Sequence, residues 1–265
     1  MHNERQEAHD VLLCVSVMCD GDIDVMYDMI INKKGFTGLE PESTKKAISS
    51  NYRTLLDQEY PKKFCNYHRP PLVLYYKGDF SLIQDSANGI AVLNGKNTCD
   101  YATKSLVAII KEIQAPVVVV LPVSDTSVTI AESVIKSGNK SGNKVVLVSD
   151  KALDSNDYTD NQKALLHFVL DNGGLVLTEV PDGSTSKTKK YYQMRLVSLC
   201  SSLTIVGGVT KRDPCIHSIA TSMELGHDVY CIPFEIGSNY INNELISDGA
   251  ILIQSGNDVS IHPNT

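Results

Sequence analysis

The residues best able to do chemistry in this chain are cations set close together. Lys187, Lys189, Lys190 and Arg195 fall within nine positions, and Lys211 and Arg212 follow the next apolar run. Gathered on one face, such groups would neutralise backbone phosphates of a nucleic acid; spread apart, they are solvated loop and helix charges. Tyr191 and Tyr192 lie between them, where a ring can stack on a base or simply join the core. Asp20, Asp22 and Asp24 alternate as in a calcium loop but lack its glycine and distal glutamate, so they read as a solvated face.

Other reactive types are present without a pattern. The seven cysteines are scattered, with no C-x-x-C pair and no histidine at zinc-ligand spacing, which predicts reduced thiols and no metal site. His217 reads as a structural histidine. Walker A, G-x-S-x-G, G-x-G-x-x-G and H-E-x-x-H signatures are missing, and no nucleophile stands with a base.

The elements that must position these groups are legible as short apolar runs. They span 72–76, 90–94, 116–121, 145–149, 174–178, 203–208, 229–233 and 250–254. Most are separated by segments of helical length, among them YATKSLVAIIKEI, TSVTIAESVIKS, NQKALLHFVLD, KKYYQMRLVSLC and CIHSIATSMELG. Runs apolar throughout suit strands covered on both faces, and strand alternating with helix predicts an α/β fold, a doubly wound, mostly parallel Rossmann-like sheet. Ligands are then expected at the C-terminal ends of the strands.

The first residues differ. VLLCVSVMC, DIDVMYDMII and STKKAISSNYRTLLDQEY carry apolar residues at three- and four-residue spacings, with Gly35 and Gly38 breaking the second from the third. They predict a small helical N-terminal appendage over 1–59 ahead of a Rossmann-like domain over 60–265, with an extended connector up to Pro70 and Pro71. SGNKSGNK at 137–144 predicts a flexible loop.

Composition bounds the rest. Hydrophobic residues make up 42% and charged residues 21%, an ordinary globular balance, and no apolar stretch is long enough to span a bilayer. MHNERQEAHD has charges of both signs where a secretory signal needs a basic start, so a cytoplasmic location is expected. A net charge of -7 opposes coating of nucleic acid through bulk charge and leaves only a local basic pocket.

A longer pattern runs through these segments. It begins with Tyr60-Pro61, then Pro71, Leu72, Leu74, Tyr75, Tyr76, Lys77 and Gly78. Leu153-Asp154, Tyr158 and Asn161 follow, then Gly173-Gly174-Leu175, Thr178-Glu179, Pro181 and Gly183. Arg195, Ser201, Gly226, Val229-Tyr230, Pro233, Asn243, Leu245-Ile246 and Gly249-Ala250 complete it. In order and content this resembles the DNA-processing DprA/Smf family, from Tyr60 to about Val259. The resemblance implies a cytoplasmic, usually dimeric protein that is not a catalyst and needs no cofactor. Such a protein binds and protects single-stranded DNA and hands it to a RecA-type recombinase during natural transformation. The family's C-terminal winged-helix domain is expected to be absent, because the chain ends soon after the last strand.

The resemblance also places a site. Where the family has a phosphate-binding Gly-Ser-Arg turn after the first Rossmann strand, this chain has Asn94, Gly95 and Lys96. A glycine turn opening a helix can cradle an anion with its amides, although lysine lacks the bidentate fork of arginine; the same Asn-Gly pair also serves a plain structural turn. The Ser-Gly-x-Ala-x-Gly-Ile-Asp segment with its later histidine is replaced by LPVSDTSVTIAE, with Leu121-Pro122 for Ser-Gly and Glu132 for the histidine. Arg-Asn-Arg is reduced to Gln193, Met194 and Arg195, and Arg195 is read either as a DNA contact or as a surface ion pair. Ser-Gly-Ser-Leu-Ile-Thr appears as Asp213, Pro214, Cys215, Ile216, His217 and Ser218. The expected DNA- or phosphate-binding set is Asn94, Gly95, Lys96, Lys189, Lys190, Arg195 and Lys211, with Lys96 and Arg195 converging on one crevice. Two other roles stay open: a scaffold that has lost DNA binding, and a Rossmann protein for a small nucleotide ligand.

Overall fold

The computed structural model describes residues 2–32, 40–84, 89–137, 142–186 and 189–260. Its frame is a nine-stranded sheet in the order β1-β2-β6-β5-β4-β3-β7-β8-β9. In chain order the strands are β1 (Asn51–Thr54), β2 (Val73–Gly78), β3 (Gly89–Leu93), β4 (Val118–Pro122), β5 (Lys144–Val148), β6 (Leu175–Thr178), β7 (Leu203–Val206), β8 (Asp228–Cys231) and β9 (Ile251–Leu252). β1 and β2 run antiparallel to their neighbours and β3 to β9 are parallel, so the expected doubly wound, mostly parallel α/β architecture is what forms.

The strands are Val, Ile and Leu runs because both of their faces are covered. Ile90 and Val92 of β3 enter the core beneath α4 (Asp100–Glu112), α5 (Ser127–Ser137) and α6 (Asp160–Asp171), beside Leu106, Ile109, Ile130, Val134, Leu165 and Val169. The alternate residues Ala91 and Leu93 point to the other face, with Met194, Leu196 and Val197 of α7 (Lys190–Leu199) and Ile219 of α8 (Cys215–Glu224). Helix α6 starts at a capping box in which Thr159 accepts from the Gln162 amide and Gln162 reaches back to Thr159. A short α9 (Asn242–Ser247) lies between β8 and β9.

At the N-terminus, α1 (His2–Met18), α2 (Ile23–Ile31) and α3 (Pro41–Ala47) form as expected. They cover the antiparallel edge, where Leu13, Val15 and Met26 pack on Leu72, Val73 and Tyr75. The helix expected beyond residue 47 does not continue. The Asp182 carboxylate accepts from the Ser49 and Ser50 amides at 2.8 and 2.6 Å, and Asp57 accepts from the Thr54 amide at 2.6 Å. These side chains hold the backbone extended, and residues 51–54 become β1, so the sheet begins ahead of the expected boundary at residue 60. Gly35, Gly38 and residues 138–141 of the SGNKSGNK duplication lie outside the described residues. No helix among the described residues is long and apolar enough to cross a membrane.

One buried histidine gives this fold a pH signature. His227, in the turn from α8 to β8, has its Nδ1 buried with no hydrogen-bond partner among the described residues. Burial, reinforced by the Lys63 ammonium and opposed by Asp228, lowers its pKa from 6.5 to about 4. The unfolded chain therefore takes up a proton between these values while the folded chain does not, and stability falls as pH drops through that window. Urea midpoints measured from pH 7 to pH 4 are expected to decline less steeply in His227→Gln than in the unmodified chain.

Candidate nucleic-acid interface

The chain leaves β3 toward β4 and β7 toward β8, on opposite sides of the paired strands β3 and β7. In a doubly wound sheet such a reversal is where a ligand crevice is expected, at the C-terminal ends of these strands. Two loops form its walls: residues 94–99 after β3 and 207–214 after β7.

The loops are tied by main-chain and carboxamide bonds. Asn94 is buried; its Oδ1 accepts from the Gly208 amide (3.1 Å) and the Thr98 hydroxyl (2.9 Å), and its Nδ2 donates to Thr103 Oγ1 (3.0 Å). The Gly95 amide donates to the Gly208 carbonyl at 2.9 Å. Here glycine is needed for closeness: a Cβ on Gly95 would stand 2.7 Å from that carbonyl and 2.6 Å from Asp213 Oδ2.

Asp213 occupies the centre of this arrangement. Its Oδ1 accepts from the Lys96 amide (3.1 Å), while Oδ2 accepts from the Thr210 amide (2.8 Å) and hydroxyl (2.6 Å). The amides converge as they would on an anion, and the anion they hold is the chain's own carboxylate. The Lys96 side chain points into solvent and carries no ion pair among the described residues. Beside it, burial raises the Cys99 thiol, but hydrogen bonds from the Ala102 and Tyr101 amides bring its pKa below the ordinary value.

The remaining expected cations divide. Lys190 reaches Asp150, just past β5, at 2.7 Å. Lys211, in the loop after β7, pairs with Glu244 at 2.9 Å. Lys189 turns toward α2, pairing with Asp24 at 3.1 Å. Lys187 lies outside the described residues.

Arg195 requires a correction. It is 1% exposed, and its guanidinium donates to Glu179 at 2.5 Å and to the Arg69 carbonyl at 2.6 Å. It stands on α7, whose residues from Tyr192 to Leu199 are all buried. An arginine enclosed in this way reaches no DNA phosphate, nor does it make a surface ion pair, and Lys96 and Arg195 do not share a crevice. Burial pushes the Glu179 carboxyl up even with the guanidinium beside it. Of the two tyrosines beside the cations, Tyr192 is core and Tyr191 is half-buried. Tyr192 is buried beneath Lys189 and Arg195, and Tyr191 meets Tyr192 and His217 edge to face while its hydroxyl bonds Tyr67 at 2.9 Å.

Sequence reasoning passed over Asp213 as an acceptor, although Thr210-x-x-Asp213 ahead of Pro214 is a side-chain-capped turn signature. It also passed over Tyr101, Phe234 and Tyr240, which stand far apart in the chain and meet only in the fold.

Fold and crevice together define a Rossmann-like protein with an anion-cradling loop at its topological switch point. The sequence matches the family DNA recombination-mediator protein A over residues 51–263, and the chain belongs to that family. It is 28% identical to the DNA processing protein DprA of Streptococcus pneumoniae (strain ATCC BAA-255 / R6) over 211 residues, covering 78% of this chain and 72% of that protein. Among solved structures, the X-ray structure of Streptococcus pneumoniae DprA has a TM-score of 0.71 at 22% identity, over 89% of this chain and 80% of that one. DprA of Helicobacter pylori, whose structure concerns its single-stranded DNA binding mode, has a TM-score of 0.63 at 20% identity over 79% and 94%. The resemblance read from the motifs is therefore correct at the level of family and fold.

Removing Arg195 strands a buried carboxylate. Arg195→Ala is expected to cost about 3–5 kcal/mol in urea unfolding, whereas Arg195→Met combined with Glu179→Met recovers most of that loss.

Proposed function

We propose that the chain is a single-stranded DNA-binding recombination mediator that lays the strand's phosphates along the crevice between the loops after β3 and β7. In this reading it protects incoming single strands and passes them to a RecA-type recombinase in natural transformation, as a cytoplasmic homodimer. Its work is binding and hand-over, with no reaction of its own. The observation that carries the reading is Lys96, an exposed cation without an ion pair among the described residues, at the switch point of a chain that belongs to the DprA family. Support for self-association comes from edge strand β9, where Ile251 and Leu252 are open to solvent.

A second reading is favoured by the carboxylates. Asp213 already fills the amide cradle, and Lys189, Lys190 and Lys211 each face an acid, as in a scaffold that has given up DNA.

Anisotropy of a labelled oligo-dT strand across a salt series separates the two. For a mediator, affinity falls steeply with salt, and Lys96→Ala weakens binding and lowers the slope of log K against log salt by about one. Absence of binding at high protein concentration and low salt would leave the scaffold reading standing.

A further inference from the structure

We propose that Tyr101, Phe234 and Tyr240 form a nucleobase-stacking platform on the rim of the crevice, so that an unpaired strand sets its phosphates toward Lys96 and its bases on these rings. The inference rests on the DNA-binding reading and adds to it where the bases go.

The three rings are neighbours although they come from two separate parts of the chain. Tyr101 begins α4, and Phe234 and Tyr240 lie in the segment from β8 to α9. Ring centres are 5.5 Å apart for Tyr101 and Phe234, nearly perpendicular, and 4.3 Å apart for Phe234 and Tyr240, tilted by 36°. Tyr101 is 51% exposed, and the other two are half-buried, so the cluster is open on one side. Ile236, fully exposed in the same segment, extends its apolar border.

Polar bonds hold the Phe234 main chain and the two tyrosine hydroxyls. Asn243 clamps the Phe234 main chain twice, accepting from its amide at 3.0 Å and donating to its carbonyl at 2.7 Å. The Tyr101 hydroxyl donates to the Pro233 carbonyl at 3.3 Å, and the Tyr240 hydroxyl to the Asn97 carbonyl at 3.4 Å. Tyr240 also lies against Gly208, where a Cβ would come within 3.0 Å of the ring. Rings held in place before a ligand arrives lose little freedom on binding, which favours stacking.

Position and charge identify the occupant. Asn97, which receives the Tyr240 hydroxyl, directly follows Lys96, and the Phe234 segment leads into α9, whose Glu244 holds Lys211. A platform of π faces beside solvent-exposed cations fits a chain of alternating bases and phosphates, and it fits any base, since every base presents a π face.

The test compares two strands of equal length, oligo-dT and an abasic phosphodiester oligomer, by anisotropy at one salt concentration. The unmodified chain is expected to bind oligo-dT about tenfold or more tightly than the abasic strand. Tyr101→Ala and Phe234→Leu, each checked for an unchanged melting temperature, are expected to lose most of that preference. Equal affinity of the unmodified chain for the two strands, or folded variants that keep the full preference, would overturn the platform while leaving phosphate binding intact. Binding of neither strand would overturn the DNA-binding reading, and the platform with it.

Discussion

The constraint on which the site depends is the close approach of two loops at the C-terminal ends of β3 and β7. Glycines at 95, 207 and 208 permit that approach, and Asn94 and Asp213 hold it. A carboxylate that accepts three donors in so tight a turn does the work of a bound anion: it satisfies amides that the Rossmann turn would otherwise leave unpaired. The same contact places a negative charge where a DNA phosphate would have to sit. In the proposed reading the phosphate therefore rides outside Asp213, on the Lys96 ammonium.

Charge across the rest of the molecule follows a similar logic. With a net charge of -7, nucleic acid is not drawn by the overall field, and the cations that matter are those left without a partner. Lys189, Lys190 and Lys211 are partnered by Asp24, Asp150 and Glu244, all ion pairs with at least one open side chain and each of small worth. A phosphate that competes with such an acid gains less than one that meets an exposed ammonium without an ion pair among the described residues, as at Lys96. The buried Arg195–Glu179 pair belongs to a different class, joining α7 to the end of β6 inside the protein.

Much of the frame was legible in the residues themselves. Strands apolar on both faces and helices between them specify a covered parallel sheet, and the eight runs read from the sequence correspond to β2 through β9. Residues 51–54 were misread as helix because what makes them a strand is the Asp182 carboxylate, far along the chain. The turn was legible at Asn94, Gly95 and Lys96, where the Asn-Gly pair shapes the loop after β3. The place of Arg195 was illegible, since KKYYQMR carries no mark of which side of the helix meets the core, and its partner Glu179 lies on another element. The rings of the proposed platform share that fate: Tyr101 stands far from Phe234 and Tyr240 in the chain, and the three meet only in the fold.

The proposed reading turns on an anion site at the loops after β3 and β7, beside Lys96. The direct measurement is the shift of the Lys96 and Thr210 backbone amide resonances when oligo-dT is added to the unmodified chain and to Asp213→Asn. The account predicts movement of both resonances in the unmodified chain. Unmoved Lys96 and Thr210 resonances in both proteins, with shifts confined to the Lys189 end of α7, would contradict it.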